Sequence, residues 1–258
     1  MALLKENAAL FGVDLPASGQ WPVLGEAHFD DRTERIYAGV LHSGDAVPVR
    51  GLGPEVEEAH IFLGTAVLLG GGPERVLSRP AATATFCGCC HGFANRAAAP
   101  LRYLRVVVGP EGAEPAVVPG DTGRGAATQE LDTSLVEEFW AHEGLGRITY
   151  RRLWGLEDFS TKFGFVDHCV VPPGTSVGYH RHDTVQECYL IIRGDGVMKV
   201  DGEVGKVVPG DCVPNRLGGS HGLINAGPEP VEFINIAVCQ RKGEWDATNL
   251  GDDLSDLI

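Results

Sequence analysis

Basic charge is scarce in this chain. Its 258 residues carry 21 Lys and Arg against 35 Asp and Glu, a formal net charge of −14, and only five of the basic residues are lysines. Nucleic acid and anionic membrane surfaces are held by clustered Lys and Arg, so neither is expected as a partner. Long apolar runs are also missing: none approaches the roughly 18 residues that span a bilayer. The opening Met-Ala-Leu-Leu-Lys-Glu-Asn puts a charge pair where a secretory signal needs an apolar stretch. The seven cysteines are odd in number and lack the spacing of a disulfide framework, which fits a reducing cytoplasm. The remaining composition, 43% hydrophobic and 22% charged, is that of a globular protein long enough for one large or two small domains.

Residues 1–35 have weak periodicity and contain Pro16, Pro22 and Asp30-Asp31, and they read as an arm packing elsewhere, a neighbouring subunit included. From Arg35 onward, apolar runs of five to eight residues alternate with Gly and Pro clusters, the punctuation of an all-β domain. An internal repeat then appears. His91-Gly-Phe-Ala-Asn95 matches His221-Gly-Leu-Ile-Asn225, and Gly44, Glu57 and Gly64 match Gly174, Glu187 and Gly194 at the same offset. Two copies of one β-fold in tandem are therefore expected. The boundaries are an arm over 1–35, a first copy over 36–118, a linker over 119–146, a second copy over 147–245 and an acidic tail over 246–258. In the linker, Ser134-Leu-Val-Glu137 has the form of a capping box, which predicts a short helix bridging the copies. The tail after Trp245 is expected to be loose or to dock a subunit.

The chemistry concentrates in Gly178-Tyr-His-Arg-His-Asp-Thr-Val-Gln-Glu187. His180 and His182 are two apart, so on a strand their rings share a face. With Glu187 and His221 from neighbouring strands they make three imidazoles and one carboxylate, a closed ligand set for a divalent metal. The first copy has Arg50 and Leu52 where the second has His180 and His182. Arginine stays protonated and leucine has no donor, so that copy is expected to be structural. Cys87, Cys89 and His91 alternate in the first copy and could face one way, with core packing as the plainer account.

The spacing of Gly174, His180, His182, Glu187 and Gly194, followed by Pro214, His221 and Asn225, resembles both signature motifs of the cupin family. The first motif fits without a gap; in the second, the turn between Pro214 and His221 is longer than the family's. The resemblance implies all-β, double-stranded β-helix (jelly-roll) barrels in tandem, a bicupin, with one divalent metal per chain inside the second barrel and a homodimeric assembly. The ligand set accepts Fe(II) or Mn(II), which are favoured, and also Ni, Co, Cu or Zn.

Strand alternation sends Tyr189, Ile191, Arg193, Leu223 and Asn225 inward and Tyr179 and Arg181 outward. Tyr189 is then placed to orient substrate or donate a proton, and Arg193 to hold a carboxylate at the rim. The family's chemistries include a mononuclear oxygenase binding substrate and O2, an isomerase or epimerase, a lyase or decarboxylase, and non-catalytic ligand binding. The apolar walls expected from Ile191, Leu223 and Phe233 favour an oxygenase acting on a small organic metabolite.

Overall fold

The computed structural model describes residues 5–7, 16–25, 27–29, 34–110, 113, 116–117 and 125–258. Asp30-Asp31 and residues 119–124 of the linker lie outside the described residues. The described chain is almost entirely strand, with single 3₁₀ turns at Thr133–Leu135 and Ser255–Leu257. Among the described residues, no helix is long and apolar enough to cross a membrane.

The N-terminal part supplies β1 (Glu6–Asn7), β2 (Gly19–Leu24), β3 (Glu34–Leu41), β4 (Ala46–Gly51), β5 (Glu57–Phe62) and β6 (Ala66–Leu69). It continues with β7 (Arg75–Leu77), β8 (Ala81–Thr85), β9 (Cys90–Ala94), β10 (Leu101–Val108), β11 (Ala116–Val117) and β12 (Ala127–Glu130). Next come β13 (Glu137–Phe139), β14 (Ile148–Trp154), β15 (Phe163–Val171), β16 (Ser176–Arg181), β17 (Val185–Arg193) and β18 (Gly196–Val200). The chain closes with β19 (Glu203–Val207), β20 (Asp211–Asn215), β21 (Ser220–Ile224), β22 (Val231–Cys239) and β23 (Thr248–Asp252).

Two barrels result, each made of two antiparallel sheets. In the first, the order β8-β5-β10-β3 faces β4-β9-β6-β7; in the second, β20-β17-β22-β15 faces β16-β21-β18-β19. The two orders are the same, which establishes the tandem repeat. Its landmarks recur in detail. Gly44 and Gly174 both take left-handed backbone (φ 90° and 72°) and donate their N–H to the Asn95 and Asn225 carbonyls at 2.8 and 2.9 Å.

The two asparagine side chains then tie down the same loop in each copy. Asn225 Nδ2 donates to Val171 O and Glu229 O, both at 2.8 Å, and Asn95 Nδ2 donates to Leu41 O and Ala99 O at the same distance. Asn225 was expected to face the cavity; it is instead fully buried in this brace. Asn225→Ala leaves two carbonyls and the Gly227 N–H without a partner. The expected cost is roughly 3 kcal/mol or more, read as a lowered urea midpoint at unchanged m-value.

The barrels share one core. Ile36, Leu104 and Val106 of the first sheet pack in a single apolar cluster with Leu190, Ile234 and Ile236 of the second. Strands covered on both faces bury even their polar residues, as with Asp167 and His168 on β15, Gln186 and Glu187 on β17 and Glu232 on β22. Polar ties cross the same junction: Gln186 Nε2 donates to Glu34 Oε2 at 2.8 Å. The N-terminal segment also crosses over, β1 pairing with β20 and Lys5 Nζ reaching Asp211 Oδ2 at 2.6 Å. The described part of the arm therefore docks on its own chain.

Two local expectations change. The bridging helix is only a single 3₁₀ turn, capped by Asp132, whose carboxylate accepts from Ser134 N at 2.9 Å. Beyond it the chain extends as β13 and pairs with β14, leaving Phe139 and Trp140 partly exposed. The tail is not loose: β23 adds to the edge of β16, opposing Asn249 to His180 and Thr248 to Arg181.

Candidate metal centre and adjoining cavity

His180 lies on β16 directly opposite His221 on β21. Glu187 lies on β17 opposite Asn215 and Ala237. His182 follows β16 and is held by backbone bonds, His182 N to Gly219 O at 3.2 Å and Gly218 N to His182 O at 2.7 Å. The longer turn before His221 is thus folded against His182, and His221 keeps its aim. All four side chains are buried, and one ligand atom from each lies within 4.8 Å of the others.

The protonation states suit ligation. His180 Nδ1 lies 2.8 Å from the Gly178 carbonyl and His182 Nδ1 bonds the Asp246 carbonyl. A carbonyl only accepts, so both Nδ1 atoms carry the hydrogen and Nε2 is the atom each ring offers to a metal. His182 Nε2 is buried without a hydrogen-bond partner, as is His221 Nδ1. His221 Nε2 sits 3.3 Å from Glu187 Oε2 but outside hydrogen-bond geometry. Burial, joined by the neighbouring imidazoles, holds His180 well below the usual imidazole range, and burial also lowers His221. Burial opposes ionisation of Glu187, but His182, His221 and the Asn235 amide (3.1 Å) outweigh it and bring the carboxyl to about 2. Two imidazoles that burial keeps from charging, His180 and His221, a low-lying carboxylate and the unpartnered buried Nε2 of His182 fit a divalent cation.

These shifts set the sign of a pH effect. For the lowered histidines, the unfolded chain takes up protons that the folded metal-free chain refuses, so stability falls as pH drops below about 6.5. For Glu187 the carboxylate contribution is present above the ordinary glutamate range and is lost only toward about 2. The urea midpoint of metal-free protein is expected to fall between pH 7.5 and 5; a flat midpoint would contradict buried neutral imidazoles.

Beside the ligands opens a cavity of about 230 Å³. Its wall follows strand alternation: Ile148, Tyr150 and Arg152 from β14, Phe165, Asp167 and Cys169 from β15, Glu187 and Tyr189 from β17, Phe233 and Asn235 from β22. Tyr189 stands where expected, its ring 4.8 Å from that of His221 and stacked on Phe233 at 4.4 Å. Arg193 does not reach the cavity. It lies on the exposed end of β17 and pairs with Glu232 at 3.1 Å, because the register shifts between Ile191 and Arg193. Ile191 and Leu223 belong to the core cluster behind the cavity and do not line it. Tyr179 and Arg181 face away, on Ser220 and Asp183 respectively.

The cavity's cation is Arg152. Its Nε and Nη2 donate to the two oxygens of Asp167 at 3.0 and 3.1 Å, and its guanidinium lies 4.4 Å over the Phe165 ring. Burial, against the pull of Arg152, raises Asp167 to about 6. His142 lies parallel to His180 with ring centroids 3.6 Å apart. Gly178 permits this, since a Cβ there would meet the His142 carbonyl at 2.0 Å. The tail adds Trp245, whose ring is 6.2 Å from that of His182, and Asp246, whose carboxylate takes Asp183 N and Thr184 N at 2.9 and 2.8 Å. Arg152 lies in a Tyr150-Arg151-Arg152 run, and nothing local in the sequence chooses its face. His142, Asp167 and Trp245 carried no signal in the motif spacing.

In the first barrel the cysteines do not gather with His91. Cys87 turns to Glu57 and the Val56 carbonyl, whereas His91 faces Glu58. Glu57 is not the counterpart of Glu187 either. Glu58 opposes Thr85 and Val107 as Glu187 opposes Asn215 and Ala237, so β5 is shifted by one residue. Glu57 instead points outward and accepts from Ser160 N and Thr161 N, both at 2.9 Å, tying the barrels together.

Residues 167–237 match the Cupin_2 family, described as the cupin domain. An oxalate-binding protein of Thermotoga maritima is 30% identical over 95 residues, which cover 37% of this chain and 78% of that protein. The chain belongs to the cupin superfamily. Its bicupin architecture is shared with the oxalate decarboxylase of Lactobacillus farciminis in its formate complex, at a TM-score of 0.65 and 13% identity over 97% of this chain and 89% of that one. Ylba from E. coli superposes at a TM-score of 0.61 and 16% identity, over 82% and 79% of the two chains. At these identities the structures speak for the cupin fold.

Proposed function

We propose that the second barrel is a metal-dependent enzyme centre for a small organic carboxylate, and that the reaction is a decarboxylation or related lyase step. The observation that carries this reading is the Arg152–Asp167 pair, which shares one cavity with Tyr189 and the ligand set. A divalent ion held by His180, His182, Glu187 and His221 supplies a Lewis acid that polarises substrate oxygens. With that ion and a protonated Asp167, Arg152 and Glu187 leave two net positive charges, which suits an anionic carboxylate. The guanidinium edge of Arg152 not used by Asp167 binds the carboxylate. Asp167, raised to about 6, carries a proton in mildly acidic solution and delivers it to the carbon from which CO2 departs. The Tyr189 hydroxyl orients the substrate, and the buried rings of Phe165 and Phe233 keep that side of the cavity apolar. The oxalate-named relatives point to the same substrate class.

The oxygenase is the second reading, favoured by the aromatic wall of Phe139, Phe165, Phe233 and Trp245. One experiment separates the two. Protein reloaded with Mn(II) or Fe(II) is given aliphatic and aromatic oxo- and hydroxycarboxylic acids, and CO2 release and O2 uptake are followed together. CO2 release without O2, lost in His180→Ala, supports the lyase. Equimolar O2 uptake supports the oxygenase, and turnover of none supports a non-catalytic binding protein.

A further inference from the structure

The first barrel encloses a cavity of about 380 Å³, larger than the one beside the metal ligands. Register assigns each of its groups a counterpart. Arg50 opposes His91 as His180 opposes His221, so a guanidinium stands at a ligand position. Arg105 takes the place of Asn235 and pairs with Glu58, its Nε donating to Oε1 at 2.9 Å. His60 takes the place of Tyr189. Glu58, His60 and His91 alone could gather round a cation, but two guanidinium groups now line the same space.

The charges decide what the cavity admits. Burial lowers both His60 and His91, which leaves them neutral, and Arg105 offsets Glu58. Arg50 remains. Among the described residues it has no hydrogen-bond or ion-pair partner, and its Nε is buried and unbonded. The Nδ1 atoms of the fully buried His60 and of His91 are unpartnered as well. Asp45 sits at the exposed mouth, held by the Ser18 hydroxyl. Phe93, Tyr103 and Leu41 supply an apolar wall.

We infer that the first barrel is a metal-free binding site for a small organic carboxylate, with Arg50 supplying the positive charge that a metal supplies in the second barrel. One unpaired guanidinium matches one carboxylate, and the aromatic wall takes the acid's organic part. Inorganic phosphate, more highly charged and without an apolar part, matches less well.

The test is isothermal titration of the full chain carrying His180→Ala with Arg152→Gln and Asp167→Asn, which together remove a metal ligand and the carboxylate-binding guanidinium of the second barrel. Benzoate, acetate and malonate serve as probes, with benzamide and inorganic phosphate as controls. The expected result is one carboxylate bound per chain, at least tenfold weaker when Arg50→Gln is added, largely kept with Arg50→Lys, and no binding of benzamide. Equal affinity in Arg50→Gln, equal binding of benzamide, tighter binding of phosphate, or no saturable binding by any of the three acids would overturn the inference. Phenylglyoxal labelling of the unsubstituted chain gives a reading free of any folding defect. Benzoate should slow modification of Arg50 at least fivefold, and an unchanged rate would count equally against the site.

Discussion

His180→Ala is expected to suppress the proposed turnover while the protein stays folded. The ring offers one of four candidate ligand atoms gathered within 4.8 Å and is the barrel's direct cross-strand partner to His221. Losing a partner outside the ligand shell already costs metal sites about 10–100-fold in affinity or activity; losing a ligand costs more. The fold survives because the two sheets and the inter-barrel core do not depend on this ring. Removing it also takes one buried imidazole out of a cluster whose members push each other away from the charged state. The expected profile is activity lowered by more than about 100-fold, an unchanged circular dichroism spectrum, and loss of the stabilisation that added metal gives the unsubstituted chain. An activity within tenfold of the parent would mean that His180 is not a ligand.

Arg152→Gln gives the second large effect, and it separates binding from burial. A hydrogen bond to a charged group contributes about 1.5–3 kcal/mol, so losing the guanidinium should lower kcat/KM roughly tenfold to more than a hundredfold, mostly through KM. The same change leaves the buried Asp167 without its bidentate partner, a cost to stability with no bearing on substrate. The double variant Arg152→Gln/Asp167→Asn removes that unpaired carboxylate. Stability should return, whereas substrate affinity, read as Kd by titration because Asp167→Asn also removes the proton donor, should stay weak. Recovery of Kd in the double variant would show that Arg152 acts only by holding Asp167.

The gathering of the candidate ligands was legible because their spacing is local: His180, His182 and Glu187 lie within eight residues, and a strand makes their faces predictable. The tandem repeat was legible through His91 to Asn95 and His221 to Asn225, which brace equivalent loops. Glu57 misled because a constant offset cannot register a one-residue shift between β5 and β17, and such a shift turns a side chain from the cavity to the inter-barrel face. Arg193 misled for a related reason, the register break after Ile191. The Arg152–Asp167 pair joins strands separated by a connecting loop, and its value lies in the cavity they share. The tail's part was hidden because Trp245 and Asp246 act through ring position and a backbone carbonyl, neither of which leaves a motif.

A bicupin that holds a metal in its second barrel and a guanidinium in its first has a definite metal content. It is measured by elemental analysis of the chain purified anaerobically without added metal, beside His180→Ala and Arg50→Gln. One equivalent of a divalent metal is expected in the parent and in Arg50→Gln, and none in His180→Ala. Two equivalents in the parent, or one retained in His180→Ala, would contradict it.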